Sequence, residues 1–466
     1  MNIQNEIPRE ECGIVGIFGV PEAAKLAYLA MYALQHRGQE SAGIVATDGK
    51  KLRMHKEYGL VADVFSEDIL DRLKGESAIG HVRYSTTGSS QAANAQPLIA
   101  NYHDGALAVA HNGNLTNSEE LRQTFERRGA IFQTTTDSEI FLHLIAHSSA
   151  SDFHEALMLS LMRIKGAFST VMLRKDRLLA LRDPRGIRPL VLGKLGDGYI
   201  VASETCAFDI LGAEYLREVK SGEILTFTKD GMKSETPFAQ VKPSYCVFEN
   251  IYYSRPDSIV SDGRTIYELR IELGRELARQ YPIEADVVIG VPDSAIPAAL
   301  GYAKESGIPY EMGLIRNHYV GRTFIEPQQN IRDFGARIKY NAVRGVLQGQ
   351  RVVIVDDSIV RGTTAGKIVA MVRRAGAKSV HMLSSAPPWV HPCYYGVDTP
   401  SEDELVASRL TVEEIREKVK SDSLGYLSIE GLEKVMPNGV SYCQACFDGK
   451  YVVGKPPNFK KEILEV

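Results

Sequence analysis

The sequence predicts two successive architectures. The first is an α+β arrangement of antiparallel sheets covered by helical layers, and after about residue 240 comes a doubly wound α/β unit on a parallel sheet. In the first half, short strands pair as hairpins with amphipathic helices bunched between them, the pattern of sheets that bury one face under helices. In the second half the strand runs are apolar throughout, ADVVIGV (285–291) and RVVIVDD (351–357), and a helix follows each. Such runs belong to a parallel sheet buried on both faces. The rhythm changes across 237–262, a segment rich in Pro and Tyr that reads as the connection.

The elements follow in order. GIVGIFG (13–19) is a strand, AAKLAYLAMYALQH (23–36) a helix, and SAGIVATDG with KLRMHKEYG (41–59) a hairpin turned at Asp48-Gly49. SAIGHVRYS and ALAVAHNGNL are strands, helices lie near 117–129, 137–148 and 153–165, and AFSTVMLRKDRLLALRD and PLVLGKLGDGYIVASE form two more hairpins. Further on, helices at 295–305 and 364–375 and the strand SVHMLSS complete the α/β rhythm, before a helical, charged tail beyond 400.

Composition narrows the function. With 466 residues and a net charge of −4, and no long Lys/Arg block, the chain lacks the electrostatic footprint of a general nucleic-acid binder. No apolar run approaches the ~18 residues of a bilayer span. The opening MNIQNEIPREE has no apolar core, so it is not a secretory signal, and six cysteines are too sparse for a disulfide scaffold. A reducing, cytoplasmic location is the expectation.

RVVIVDDSIVRGTTAG (351–366) carries the strongest local chemistry. A buried strand ends in Asp356 and Asp357, and Ser358, Gly362, Thr363 and Thr364 lead into a helix. A helix N-terminus with free N–H groups and hydroxyls cradles phosphate. The carboxylates beside it suit ribose hydroxyls or Mg²⁺ and would repel bare phosphate. Two Asp after a strand could also simply cap the next helix. The whole string resembles the phosphoribosyl-pyrophosphate (PRPP) signature of type I phosphoribosyltransferases. That resemblance implies PRPP binding by Asp356, Asp357, Ser358, Gly362, Thr363 and Thr364. It also makes GVPDSAIPAA (290–299) the pyrophosphate loop, with Ser294 joining Asp356 and Asp357 near Mg²⁺. IRNHYVGRTFIEPQQNIRDFG (315–335), with Arg316, Arg322 and Arg332, suits a mobile lid, or is an ordinary surface loop.

In the first half Cys12 opens an apolar strand, where a buried structural cysteine is the ordinary reading. HRGQESAG (36–43), GHVRYSTTG (80–88), AHNGNL (110–115) and TTTDSE (134–139) nevertheless follow in an order and spacing that resemble the class II glutamine amidotransferases. The resemblance implies an N-terminal-nucleophile hydrolase fold, layered α/β/β/α, and a propeptide, residues 1–11, removed so that Cys12 becomes the first residue. Its α-amine, with a pKa near neutrality, is then a base within reach of the thiol. It further implies an oxyanion hole from Asn112 and Gly113, a clamp on the glutamine carboxylate from Arg83, and an acceptor for its α-amine in Asp137. Asn112-Gly113 also reads as a type I′ hairpin turn, and Asp137 as a helix N-cap. His81 and His111 sit in strands beside these motifs and read as structural, since the amine supplies the base.

Cys443 and Cys446 form a C-x-x-C, with Cys246 and Cys393 as distant singles. Four thiolates suit zinc or a [4Fe–4S] cluster, and spacing does not choose between them. PSYCVFEN, HPCYYGVD and SYCQACFDGKY resemble the cluster-bearing branch of the PRPP amidotransferase family, which implies iron and sulfide; Cys206 is left over as buried and inert. Over essentially the whole chain, the likeness to that family implies a glutamine-dependent amidophosphoribosyltransferase of purine biosynthesis, domain 12–240 a glutaminase and 241–466 a phosphoribosyltransferase. Its expected partners are glutamine and PRPP as substrates, purine nucleotides as feedback inhibitors and further copies of itself in a tetramer. Two rivals share half of the pattern each. Another class II amidotransferase would carry a sugar-isomerase partner domain, and a PRPP-sensing regulator would carry a basic DNA-binding segment and no glutaminase motifs.

Overall fold

The computed structural model describes residues 12–84, 92–317, 340–399, 401–456 and 464. Residues 1–11, and most of the segment read as a lid, with Arg322 and Arg332, lie outside the described residues.

Two antiparallel sheets build the first half. One has seven strands in the spatial order Glu214–Glu218, Val191–Leu195, Gly198–Ala202, Gly13–Phe18, Ser77–Arg83, Ser41–Thr47 and Leu52–Tyr58. The other has six, in the order Gly231–Glu235, Ile224–Thr228, Leu178–Arg182, Gly166–Leu173, Gly105–Leu115 and Leu98–Tyr102. Alternation along each strand decides the layers. Ile14, Val45 and Ile79 of the first sheet meet Ala108, Ala110, Val171 and Ala180 of the second in the inner core. Val15, Ile17 and Ile44 turn outward onto the helix Ala23–Ala33. On the far side, Leu107, Val109 and Phe168 pack under the helices Ser118–Glu126, Glu139–Ala146 and Phe153–Leu161. The result is the four-layered α/β/β/α arrangement.

The second half holds a four-stranded parallel sheet in the order Val287–Gly290, Arg351–Asp356, Ser379–Ser384 and Ser423–Tyr426. Val288, Val353 and Leu383 face the helices Ile266–Gln280 and Ile296–Ser306, whereas Ile289, Ile354 and Met382 face Thr363–Arg374 and Val412–Val419. Two of these elements escape the sequence reading. The helix from Ile266 starts at a capping box, Thr265 with Glu268, and the strand at Ser423 lies in the tail read as helical. The Pro/Tyr segment is also more than a connection. Val247, Phe248, Ile251 and Tyr253 are buried in the core of the second half, because its aromatic and branched side chains remove apolar surface from water.

A buried ionic cluster joins the halves. Arg37 donates to Glu204 at 2.9 Å and to Glu249 at 3.0 and 2.5 Å, Arg188 also donates to Glu249, and Ser254 Oγ donates to Glu249 at 3.0 Å. Glu204 further accepts from His36 at 2.7 Å, the Arg255 N–H at 2.8 Å and Ser258 Oγ at 2.7 Å. Two guanidinium groups and two carboxylates balance, as burial of charge requires.

Candidate active sites

The first site lies at one end of the two-sheet sandwich. Ile14 and Ala110 point into the inner core, so Cys12 and Asn112, each two residues along its strand, share those inward faces. A pocket there is lined by Cys12, Arg83, Tyr84, Gln96, His111, Gly113, Thr136, Asp137 and Ser138. Folding thus brings four positions named from the sequence into this pocket, Cys12, Arg83, Gly113 and Asp137, with Asn112 next to Gly113 in the same strand. Cys12 Sγ donates to the Tyr84 carbonyl at 3.5 Å. Burial, only partly offset by that hydrogen bond and by the Arg83 charge, pushes the thiol up to about 11. A thiol so held is a poor nucleophile until a base removes its proton.

Asn112 is fully buried, and among the described residues neither its Nδ2 nor its Oδ1 has a hydrogen-bond partner. An orphaned buried amide is costly, and a ligand or a water would complete its bonds. The hairpin-turn reading of Asn112-Gly113 is corrected. Both residues lie inside the strand Gly105–Leu115, paired with Ser169 and Phe168, because a long ladder outweighs the local preference of Asn-Gly. Gly113 has φ of 147°, and a Cβ there would stand 2.0 Å from the Ala167 carbonyl oxygen, so only glycine fits. Asp137 is not the helix cap either. Ser138 holds that position without a side-chain bond, and Asp137 Oδ2 instead accepts the Leu115 N–H at 2.8 Å.

Burial favours the neutral imidazole at both histidines. Burial pushes His81 down to about 3, and its Nε2 lies 3.1 Å from the His111 carbonyl. Burial also lowers His111, whose Nδ1 lies 3.1 Å from Ser138 Oγ. Gln96, Tyr84 and Ser138 line the pocket without a signal in the sequence. Gln96 accepts the His111 N–H at 2.9 Å and donates to Ser138 at 3.0 Å, contacts between segments distant in sequence that only the fold creates.

The second site sits at the carboxyl edge of the parallel sheet, where adjacent strands deliver Pro292–Ser294 and Asp356–Ser358 side by side. Ser294 Oγ donates to Asp357, Ser358 Oγ donates to the other Asp357 oxygen at 2.6 Å, and the Asp357 N–H donates to Asp356 at 2.9 Å. Arg316 donates to Asp293 at 2.5 Å beside them. Gly362, with φ of 77°, caps the helix Thr363–Arg374, so neither Asp caps it, and the first turn carries no acidic residue. Hard oxygen donors from Asp356, Asp357 and Ser294 suit Mg²⁺, and the helix start suits a phosphate.

The four remaining cysteines also converge. Cys246 and Cys443 stand opposite each other on the parallel pair Tyr245–Cys246 and Tyr442–Cys443, and Cys393 and Cys446 pack against the same core. Burial pushes all four thiols up, and the charges of neighbouring cysteines add to this at Cys393, Cys443 and Cys446. All six cysteines are free. Among the described residues, no three His, Cys, Asp or Glu side chains stand so as to hold a metal ion. Cys206 is buried and its thiol is likewise raised by burial. A further cavity at the junction of the halves, lined by Arg182, Glu204, Glu218, Cys246, Glu249 and Tyr442 among others, holds none of the residues of the two sites above.

Comparison with known proteins matches one domain family in each half of the chain. Residues 81–209 match the glutamine amidotransferase domain family and residues 258–399 the phosphoribosyl transferase domain family. The pair defines an amide-nitrogen transferase with two reaction centres in one chain. Amidophosphoribosyltransferase 1, chloroplastic, of Arabidopsis thaliana is 55% identical over 98% of this chain and 81% of its own length, and the amidophosphoribosyltransferase of Bacillus subtilis is 51% identical over 95% and 94%. The solved structure of the B. subtilis glutamine PRPP amidotransferase complexed with ADP and GMP superposes with a TM-score of 0.91 at 50% identity, covering 95% of this chain and 98% of that one. The chain belongs to the amidophosphoribosyltransferase family. Among the described residues no helix is long and apolar enough to cross a membrane.

Proposed function

We propose that the chain converts glutamine, PRPP and water to 5-phosphoribosylamine, glutamate and pyrophosphate, the committed step of purine biosynthesis, with residues 12–240 housing the glutaminase and 241–466 the phosphoribosyltransferase. The orphaned Asn112 amide beside the Cys12 pocket carries the reading. Cys12 attacks the side-chain amide carbon of glutamine, Asn112 Nδ2 and the Gly113 N–H stabilise the oxyanion, and ammonia leaves as water later releases glutamate from the thioester. Arg83 clamps the glutamine carboxylate with a planar fork and Asp137 accepts its ammonium. The raised thiol needs a base close by, and the α-amine exposed by removal of residues 1–11 is that base.

Ammonia must then travel as NH₃, since NH₄⁺ has no lone pair for C1 of PRPP. The Ser358–Thr364 loop binds the phosphate of PRPP, and Asp356 and Asp357 its ribose. Asp356, Asp357 and Ser294 would hold Mg²⁺, which supplies charge neutralisation of the departing pyrophosphate. Cys246, Cys393, Cys443 and Cys446 would hold a [4Fe–4S] cluster. Four cysteines that share one buried core supply the Cys₄ donor set such a cluster takes, a set that zinc also accepts. Feedback by purine nucleotides and assembly into a homotetramer complete the proposal, the former supported by the relative complexed with ADP and GMP.

The test replaces Cys12 by Ala. Glutamine-dependent synthesis should be abolished while ammonia-dependent synthesis persists, and equal loss of both contradicts the two-site reading.

A further inference from the structure

The two halves also touch directly at the oxyanion hole. Asn114 lies two residues beyond Asn112, is 3% exposed, and its Nδ2 donates to the backbone carbonyl of Tyr394 at 2.9 Å across the domain junction. Beside it, Gly396, with φ of 112°, presses backbone on backbone. A Cβ at 396 would stand 2.9 Å from Gly113 Cα and 3.0 Å from its carbonyl carbon. Gly113 is therefore held from two sides, by the Ala167 carbonyl of its own sheet and by Gly396 of the other half.

The loop that makes these contacts is itself anchored. The Cys393 N–H donates to Thr399 Oγ1 at 2.9 Å and the Tyr395 N–H donates to Cys393 Sγ at 3.3 Å. The Tyr395 hydroxyl donates to the Gly454 carbonyl at 3.1 Å and accepts the Val453 N–H at 2.8 Å, and its ring packs with Ala167 and Cys443.

We propose that Asn114 and Gly396 are positioning residues for glutamine hydrolysis, through which loop 393–397 of the second half fixes the direction of the oxyanion donors in the first. The inference rests on the assignment of Asn112 and Gly113 to the oxyanion hole. Oxyanion donors work only when they are preorganised at the place where charge develops, and small displacements cost rate rather than binding. Glutamine affinity rests on Arg83 and Asp137, which the loop does not touch in these contacts. The expected signature is thus a kcat effect confined to the glutaminase.

The experiment uses the full chain with Asn114→Ala, Asn114→Asp and, separately, Gly396→Ala, which drives a methyl into Gly113. For each, kcat for glutamine hydrolysis with PRPP present should fall on the order of 10- to 100-fold. The glutamine KM should stay within about threefold and ammonia-dependent synthesis within about twofold. Retained glutamine binding shows that the glutaminase half is folded. The proposal is overturned by kcat within about twofold of the parent in both Asn114 variants, or by a joint fall of kcat, glutamine affinity and ammonia-dependent rate. Asn112→Ala runs alongside: if it too keeps full kcat, the oxyanion-hole assignment fails, whereas its loss with Asn114→Ala unaffected sinks the positioning role alone.

Discussion

Glu249→Gln should loosen the junction of the two halves. The Glu249 carboxylate takes hydrogen bonds from Arg37, Arg188 and Ser254, and both guanidinium groups are wholly buried. Burial alone would raise its pKa, but Arg37 and Arg188 outweigh burial and hold it below the ordinary glutamate value. An amide turns an N–H₂ toward one of these donors, leaving Arg37 with Glu204 as its carboxylate and taking from Arg188 the Glu249 charge it donates to. Breaking a buried pair in this way costs about 3–5 kcal/mol. For units of this size ~1 kcal/mol moves a thermal midpoint by roughly 2–4 °C, so the first transition should drop by on the order of 10 °C. Differential scanning calorimetry reads that shift. A second assay compares glutamate and 5-phosphoribosylamine made from glutamine, because a loosened junction lets ammonia escape and raises the ratio. Adding Arg188→Met restores charge balance and should recover part of the loss. A midpoint within about 2 °C of the parent, with product ratio unchanged, would refute the reasoning.

Asp357→Asn removes a carboxylate that takes the Ser294 and Ser358 hydroxyls. Synthesis from glutamine and from ammonia should fall together by about 100-fold, or ~2.7 kcal/mol, and an ammonia-dependent rate near that of the parent would contradict the PRPP assignment. Burial would raise Glu204, yet His36 and Arg37 outweigh burial and hold it at about 2 against its ordinary 4.5. A depressed carboxyl contributes stability that is fully present above 4.5 and lost as pH falls through 2. The thermal midpoint should therefore be insensitive to this group down to pH 4.5 and fall below it, and Glu204→Gln should flatten that fall; an equal acid slope in both proteins removes Glu204 as its cause. Anaerobically purified protein should carry iron and sulfide in a fourfold ratio to the chain, lost in Cys393→Ser, whereas stoichiometric zinc in a colourless protein would overturn the cluster.

Much of this was legible because it is local. The apolar runs Val287–Gly290 and Arg351–Asp356 announce buried parallel strands, and Asp357, Gly362 and Thr363 follow one of them where strand and helix geometry leads into a helix N-terminus. Cys12 and Asn112 are legible as types, a thiol at a strand start and an amide donor. That Cys12 shares a pocket with His111 and Gly113, the neighbours of Asn112, depends on two sheets packing face to face.

Tertiary structure alone decided the rest. Asn112-Gly113 has the local preference of a turn, yet pairing with Ser169 and Phe168 keeps it in a strand. The bond from Asn114 to Tyr394 spans 280 residues, and Glu249 meets Arg37 and Arg188 from the other half of the chain. Side-chain type and short-range spacing determine what a residue can do chemically. Which partner it meets is set by burial and pairing summed over the whole chain, and no window of sequence contains that sum.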